Sequence, residues 1–187
     1  MSQTNPSALL PLEYPAGTTL QEKLQIGSAR VALAKLLGRV ASLAPIGFAS
    51  PVAGLIDVQV AVRECLRRDA PTLALLPEAA VDSAAGPVLS ALAREYLGGP
   101  AEGYLSVLTC RWERELSMMS CLPWVRVAVR DSAGWADDLW RAGVRDFVFA
   151  EPTGARVFAV IHDDHDDEVT VVGAEAAELT RRAAGRE

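Results

Sequence analysis

The sequence predicts an α/β protein: an N-terminal helical hairpin, then a mostly parallel βαβ-type sheet ending in an antiparallel hairpin at one edge. Three observations carry this expectation. Helix start and stop signals bracket residues 19–70, and from residue 71 apolar runs of strand length alternate with helical patterns. The last two strand-like runs are separated only by residues 162–168, too few for a crossover helix, so they form a hairpin. A chain of 187 residues, half of them apolar, fits one compact unit, with 19–70 packed on an α/β sheet domain of 71–187.

Residues 1–18 carry Pro6, Pro11, Pro15 and Gly17 and read as an irregular arm. Thr19 and Glu22 have capping-box spacing, which predicts a helix from Leu20 to about Leu43, stopped by Ala44-Pro45. Ser50-Pro51 is a second start signal, after which Leu55, Val58, Val62, Cys65 and Leu66 share a helical face as far as about Asp69. Joined by APIGFAS, these helices make the expected hairpin.

Residues 26–62 contain only Arg30, Lys35, Arg39 and Asp57 as charges, so little of this region should face water. The expectation is that Val31, Leu33, Leu36, Leu37, Val40, Ile46 and Phe48 dock on a protein partner or on a second copy of the chain. A membrane span is not expected. The longest uncharged run, Val40–Ile56, has 17 residues and contains Pro45 and Pro51, whereas a spanning helix needs ~20.

In the second part, strands are predicted at 72–76, 104–109, 124–129, 146–150, 156–161 and 169–172. Helices are predicted from Gly86-Pro87 to Gly98-Gly99, over 111–120, after Asp131-Ser132 as far as Gly143, and over 174–184. The alternation makes the first four of these strands parallel, joined by right-handed crossovers.

Charge and motif content exclude several functions. The net charge is −6 and no Lys/Arg stripe exists, which argues against nucleic-acid binding. The glycines form no phosphate loop, so no nucleotide or other cofactor is expected. Cys65, Cys110 and Cys121 are an odd set without ribbon or disulfide spacing, and the first residues lack the order of a signal peptide. Both features point to a reducing cytoplasm.

Two places invite chemistry. HDDHDDE, residues 162–168, could offer His162, Asp163, His165 and Asp166 to a metal, but the stretch matches neither a calcium loop nor a His-Glu-x-x-His helix, and a solvated turn is the expectation. Cys110 falls at a predicted helix N-terminus beside Arg111, yet Leu116 occupies the place of a cysteine-phosphatase arginine, so it reads as a structural thiol. Trp112 and Trp140, flanked by arginines, are the expected exposed members among four tryptophans and complete the candidate docking set. A non-enzymatic interaction module or assembly subunit is therefore the leading reading, and a small enzyme using Cys110 or a metal at 162–168 is the alternative.

WRAGVRDFVFAEP, residues 140–152, resembles the last strand region of bacterial response-regulator receiver domains, and APTLALLPE, residues 70–78, resembles their phosphorylated strand. Pro77 stands where the phospho-accepting aspartate would be. Glu151 replaces the lysine, one position displaced, and no acidic pair follows a first strand. The resemblance implies a degenerate receiver-like regulatory domain that is not phosphorylated.

Overall fold

The computed structural model describes residues 18–48, 54–83, 87–109, 122–163 and 167–186. Among them runs one seven-stranded sheet, with strands β1 (Leu43–Phe48), β2 (Thr72–Pro77), β3 (Glu102–Thr109), β4 (Val125–Val129), β5 (Asp146–Ala150), β6 (Arg156–Asp163) and β7 (Glu168–Glu175). The order is β1-β4-β3-β5-β6-β7-β2, and every pairing is antiparallel. The helices are α1 (Leu20–Leu37), α2 (Val58–Cys65), α3 (Glu78–Asp82), α4 (Val88–Leu97), α5 (Trp135–Arg141) and α6 (Ala176–Ala184).

This overturns the mostly parallel sheet. Alternating strands and helices say only that the chain leaves the sheet and returns. They do not fix the direction in which it returns. Strands that are apolar on both faces, such as DFVFA and RVFAVI, suggest burial between helices, which is common in parallel sheets but follows from any sheet covered on both sides. Here Phe147 and Phe149 face one helical layer while Val148 and Ala150 face the other. The β6–β7 hairpin forms as expected, but β2 pairs outside it, so the hairpin is interior and not at the edge.

The helical hairpin is overturned too. Its connecting segment is strand β1, paired with β4 through a register shift between Pro45 and Gly47. α1 packs with α3, α4 and α5 on one face, whereas α2 packs with α6 on the other. Pro45 accounts for the difference: proline ends helices, but it is also at home in an edge strand, where its missing N–H is not needed. β2, which resembles the receiver's phosphorylated strand, is the opposite edge and antiparallel to β7, so the parallel receiver sheet is not formed.

Local signals hold better. The Thr19 hydroxyl accepts the Glu22 N–H at 3.3 Å while the Glu22 carboxylate accepts the Thr19 N–H at 2.7 Å, a complete capping box. Gly98 closes α4 at φ +78°, a left-handed conformation that glycine adopts without strain. Asp131 and Ser132 do not cap α5. The Ser90 hydroxyl from α4 accepts the N–H groups of Ala136 and Asp137, and the Asp137 carboxylate accepts the Ser90 N–H at 2.7 Å. Two helix starts thus satisfy each other across 47 residues of sequence. The core centre is Trp135, stacked within 4.5 Å of Phe149 and edge-on to Phe147 and Phe158.

Candidate functional site

Of the HDDHDDE stretch, His162 and Asp163 end β6 and Glu168 begins β7. The His162 side chain is only 2 % exposed, so it does not stand in a solvated turn. Its Nε2 lies 3.2 Å from Oε2 of Glu78, its ring meets Trp140 edge-on at 5.6 Å, and its backbone N–H donates to the Asp146 carboxylate at 2.7 Å. The Trp140 indole N–H donates to Asp82 at 2.6 Å. Above the Trp140 ring, at 3.9 Å, lies the Arg145 guanidinium, which pairs with Asp82 at 3.2 Å and approaches Glu78 at 3.9 Å. Trp140 is buried, contrary to the expectation for an arginine-flanked indole.

A histidine against a carboxylate can hold or pass a proton, but catalysis also needs a nucleophile or substrate-binding group in reach. In this cluster the charges are directed at one another. The arrangement fastens α3 and the α5–β5 connection onto β6, and position, not spacing, created it. Asp82, Arg145 and Asp146 carry no signal of this in the sequence. Among the described residues no group of three or more His, Cys, Asp or Glu side chains is placed to hold a metal ion. His165 and Asp166, like Cys110, Cys121 and Trp112, lie outside the described residues.

A second charged cluster joins α2 to α6. Glu64, 1 % exposed, is reached by Arg186 at 3.0 Å and Arg63 at 3.4 Å, and Asp69 pairs with Arg186 at 2.8 Å and Arg182 at 2.9 Å. Partial desolvation would raise the Asp69 carboxyl, but Arg186, Arg182 and a hydrogen bond from Arg67 outweigh it and hold it below the usual range. Burial, with the Glu64 charge beside it, pushes the Cys65 thiol up to about 12, so it stays protonated and unreactive near neutral pH. At the turn after β5, Glu151 is also internal: its carboxylate takes Arg156 at 3.0 Å, and Arg156 in turn donates to the Tyr96 carbonyl that ends α4.

The candidate docking residues divide sharply. Leu33, Leu36, Leu37 and Val40 are buried in the core beneath α1, and Phe48 packs against it, while Val31 and Ile46 are exposed. Leu20 and Leu24 join Val31 outside, at 74, 65 and 54 % exposure. At 100° per residue, Leu20, Leu24, Gly27 and Val31 form one row with 4-3-4 spacing, opposite the buried row of Ala29, Leu33, Leu36 and Leu37. Lys23 and Arg30 flank the outer row on one side, and Lys35 on the other. Glu22, the only acid of the helix, lies on the far side and is engaged in the capping box. The 4-3-4 spacing of the outer row is legible in the sequence itself.

Comparison with protein families, with curated proteins and with solved structures found no match to this chain. No helix among the described residues is long and apolar enough to cross a membrane.

Proposed function

We propose that the chain is a non-enzymatic interaction module or assembly subunit that docks through the outer face of α1. One observation carries this reading: α1 presents an aliphatic row to water diametrically opposite the aliphatic row it buries. A surface helix is ordinarily polar on its outer side, and one that is apolar on both sides has a use for the second. The polar clusters support the same reading by their closure, because His162, Glu78, Arg145 and Asp82 are occupied with one another and with Trp140.

The test compares the native chain with a Leu24→Gln, Val31→Gln double variant in affinity capture and in light-scattering mass. Both side chains are more than half exposed, so the variant should fold with an unchanged melting temperature. A stoichiometric species recovered with the native chain and lost with the variant is the expected result. Identical capture and mass for the two proteins would overturn the proposal.

A further inference from the structure

We infer that the outer edge of β2 is an interaction surface of its own and that its occupant is β2 of a second copy of the chain, paired antiparallel about a two-fold axis beside Leu75. This goes beyond the docking role of α1 and does not rest on it. Among the described residues β2 has β7 as a strand neighbour on one side and none on the other. The Glu78 N–H donates to the Asp167 carbonyl at 2.8 Å, on the β7 side. By alternation Leu76 and Ala74 also turn their backbone groups to β7, and Leu75 turns its N–H and C=O away. The side chains of Leu75 and Leu73 are 61 and 43 % exposed. A strand edge with an outward donor, an outward acceptor and aliphatic side chains is a template for another extended strand, since main-chain pairing is what satisfies such groups.

Two features select a second copy. Residues 70–77, APTLALLP, carry no charge, so antiparallel self-pairing sets no like charges against each other and brings the same exposed leucines to each side of the axis. The same stretch offers a foreign strand no ion pair by which to be chosen. The opposite edge of the sheet is closed to pairing. In β1 the Leu43 N–H is taken by the Val40 carbonyl at 3.3 Å, Pro45 has no N–H, and the ladder shifts register between Pro45 and Gly47. With one edge open and the other blunted, β2 cannot add to β1 of the next copy and grow a filament. Pairing of β2 with β2 is isologous and closes at two copies.

The test follows light-scattering mass of the full chain up to about 100 μM, and amide hydrogen exchange at Leu75 at low and high concentration. The native chain is compared with Leu75→Lys, which changes an exposed side chain and puts a charge at the axis, and with the Leu24→Gln, Val31→Gln variant of α1. The expected result is a native dimer in which the Leu75 N–H exchanges at least about tenfold more slowly than in the monomer. Leu75→Lys should weaken that dimer at least about tenfold, and the α1 variant should leave it intact. A native chain that stays monomeric at about 100 μM, or Leu75 exchange that does not depend on concentration, overturns the inference without any variant. A dimer kept by Leu75→Lys and lost in the α1 variant overturns it while the docking role of α1 stands. A monomeric native chain that captures another protein, lost on Leu75→Lys, shows that a foreign strand is the occupant and overturns it too. A dimer lost on Leu75→Lys, with the α1 variant changing neither capture nor mass, upholds the inference and removes the docking role of α1.

Discussion

α1 and α6 are both surface helices with an aliphatic inner row, yet they treat their outer faces in opposite ways. α6 buries Ala176, Leu179 and Ala183 and turns Glu178, Arg181 and Arg182 outward, and its end is strapped to α2 by Arg182 and Arg186 reaching Asp69 and Glu64. Its polar side is used within the molecule. α1 buries an equivalent row and then repeats aliphatic residues on the outside, with cations at the flanks. The contrast teaches that the surplus apolar surface of α1 is not a demand of the core, since α6 holds its place without one.

The comparison breaks first at the inner rows, which should be equivalent. Leu36→Ala in α1 and Leu179→Ala in α6 each remove a fully buried side chain and should each cost about 2–5 kcal/mol in denaturant unfolding. A loss below about 1 kcal/mol in α1 alone would mean that its inner packing is not real.

Alkaline pH probes the α2–α6 side. The Cys65 thiol is held at about 12 in the fold against an ordinary value of 9.0, so its neutral form is favoured by folding. Its stabilising contribution is complete below pH 9 and is lost as pH rises from 9 towards 12, with a slope of about 1.4 kcal/mol per pH unit. Cys65→Ala should flatten that part of the stability profile. An unchanged slope in the variant would assign the alkaline loss to other groups, such as Tyr96, which is also pushed up to about 12 by burial and then by Glu175.

Smaller effects follow at the two polar clusters. His162→Ala leaves Glu78 without its imidazole neighbour and opens the contact with Trp140, a loss of about 1–3 kcal/mol. Arg186→Ala removes one partner each from the buried Glu64 and the exposed Asp69 and should cost about 1–2 kcal/mol, less because Arg186 is itself partly exposed. Thermal melts of both variants, with and without a chelator, check this. A drop on chelation in the native chain that vanishes in His162→Ala would show that His162 ligates a metal. Smallest of all, Leu24→Gln with Val31→Gln should shift stability by no more than about 0.5 kcal/mol, which separates the outer row of α1 from the inner one.

The sequence by itself determined the elements wherever signals are local. The capping box at Thr19, the left-handed stop at Gly98, the strand runs 146–150, 156–161 and 169–172, and the hairpin between the last two depend on residues within a few positions of each other, and all were legible. The tertiary structure alone decided what depends on distant partners. Strand direction and order are set by which edges meet, and β3 lies between β4 and β5 for reasons that no window of residues contains. The cap of α5 comes from Ser90 and the carboxylate facing His162 from Glu78, each on an element far away in sequence. α1 lies between these cases: its two aliphatic rows were written in the spacing of residues 20–37, but only the placement of the sheet beneath Leu33, Leu36 and Leu37 decided which row became core and which was left facing water.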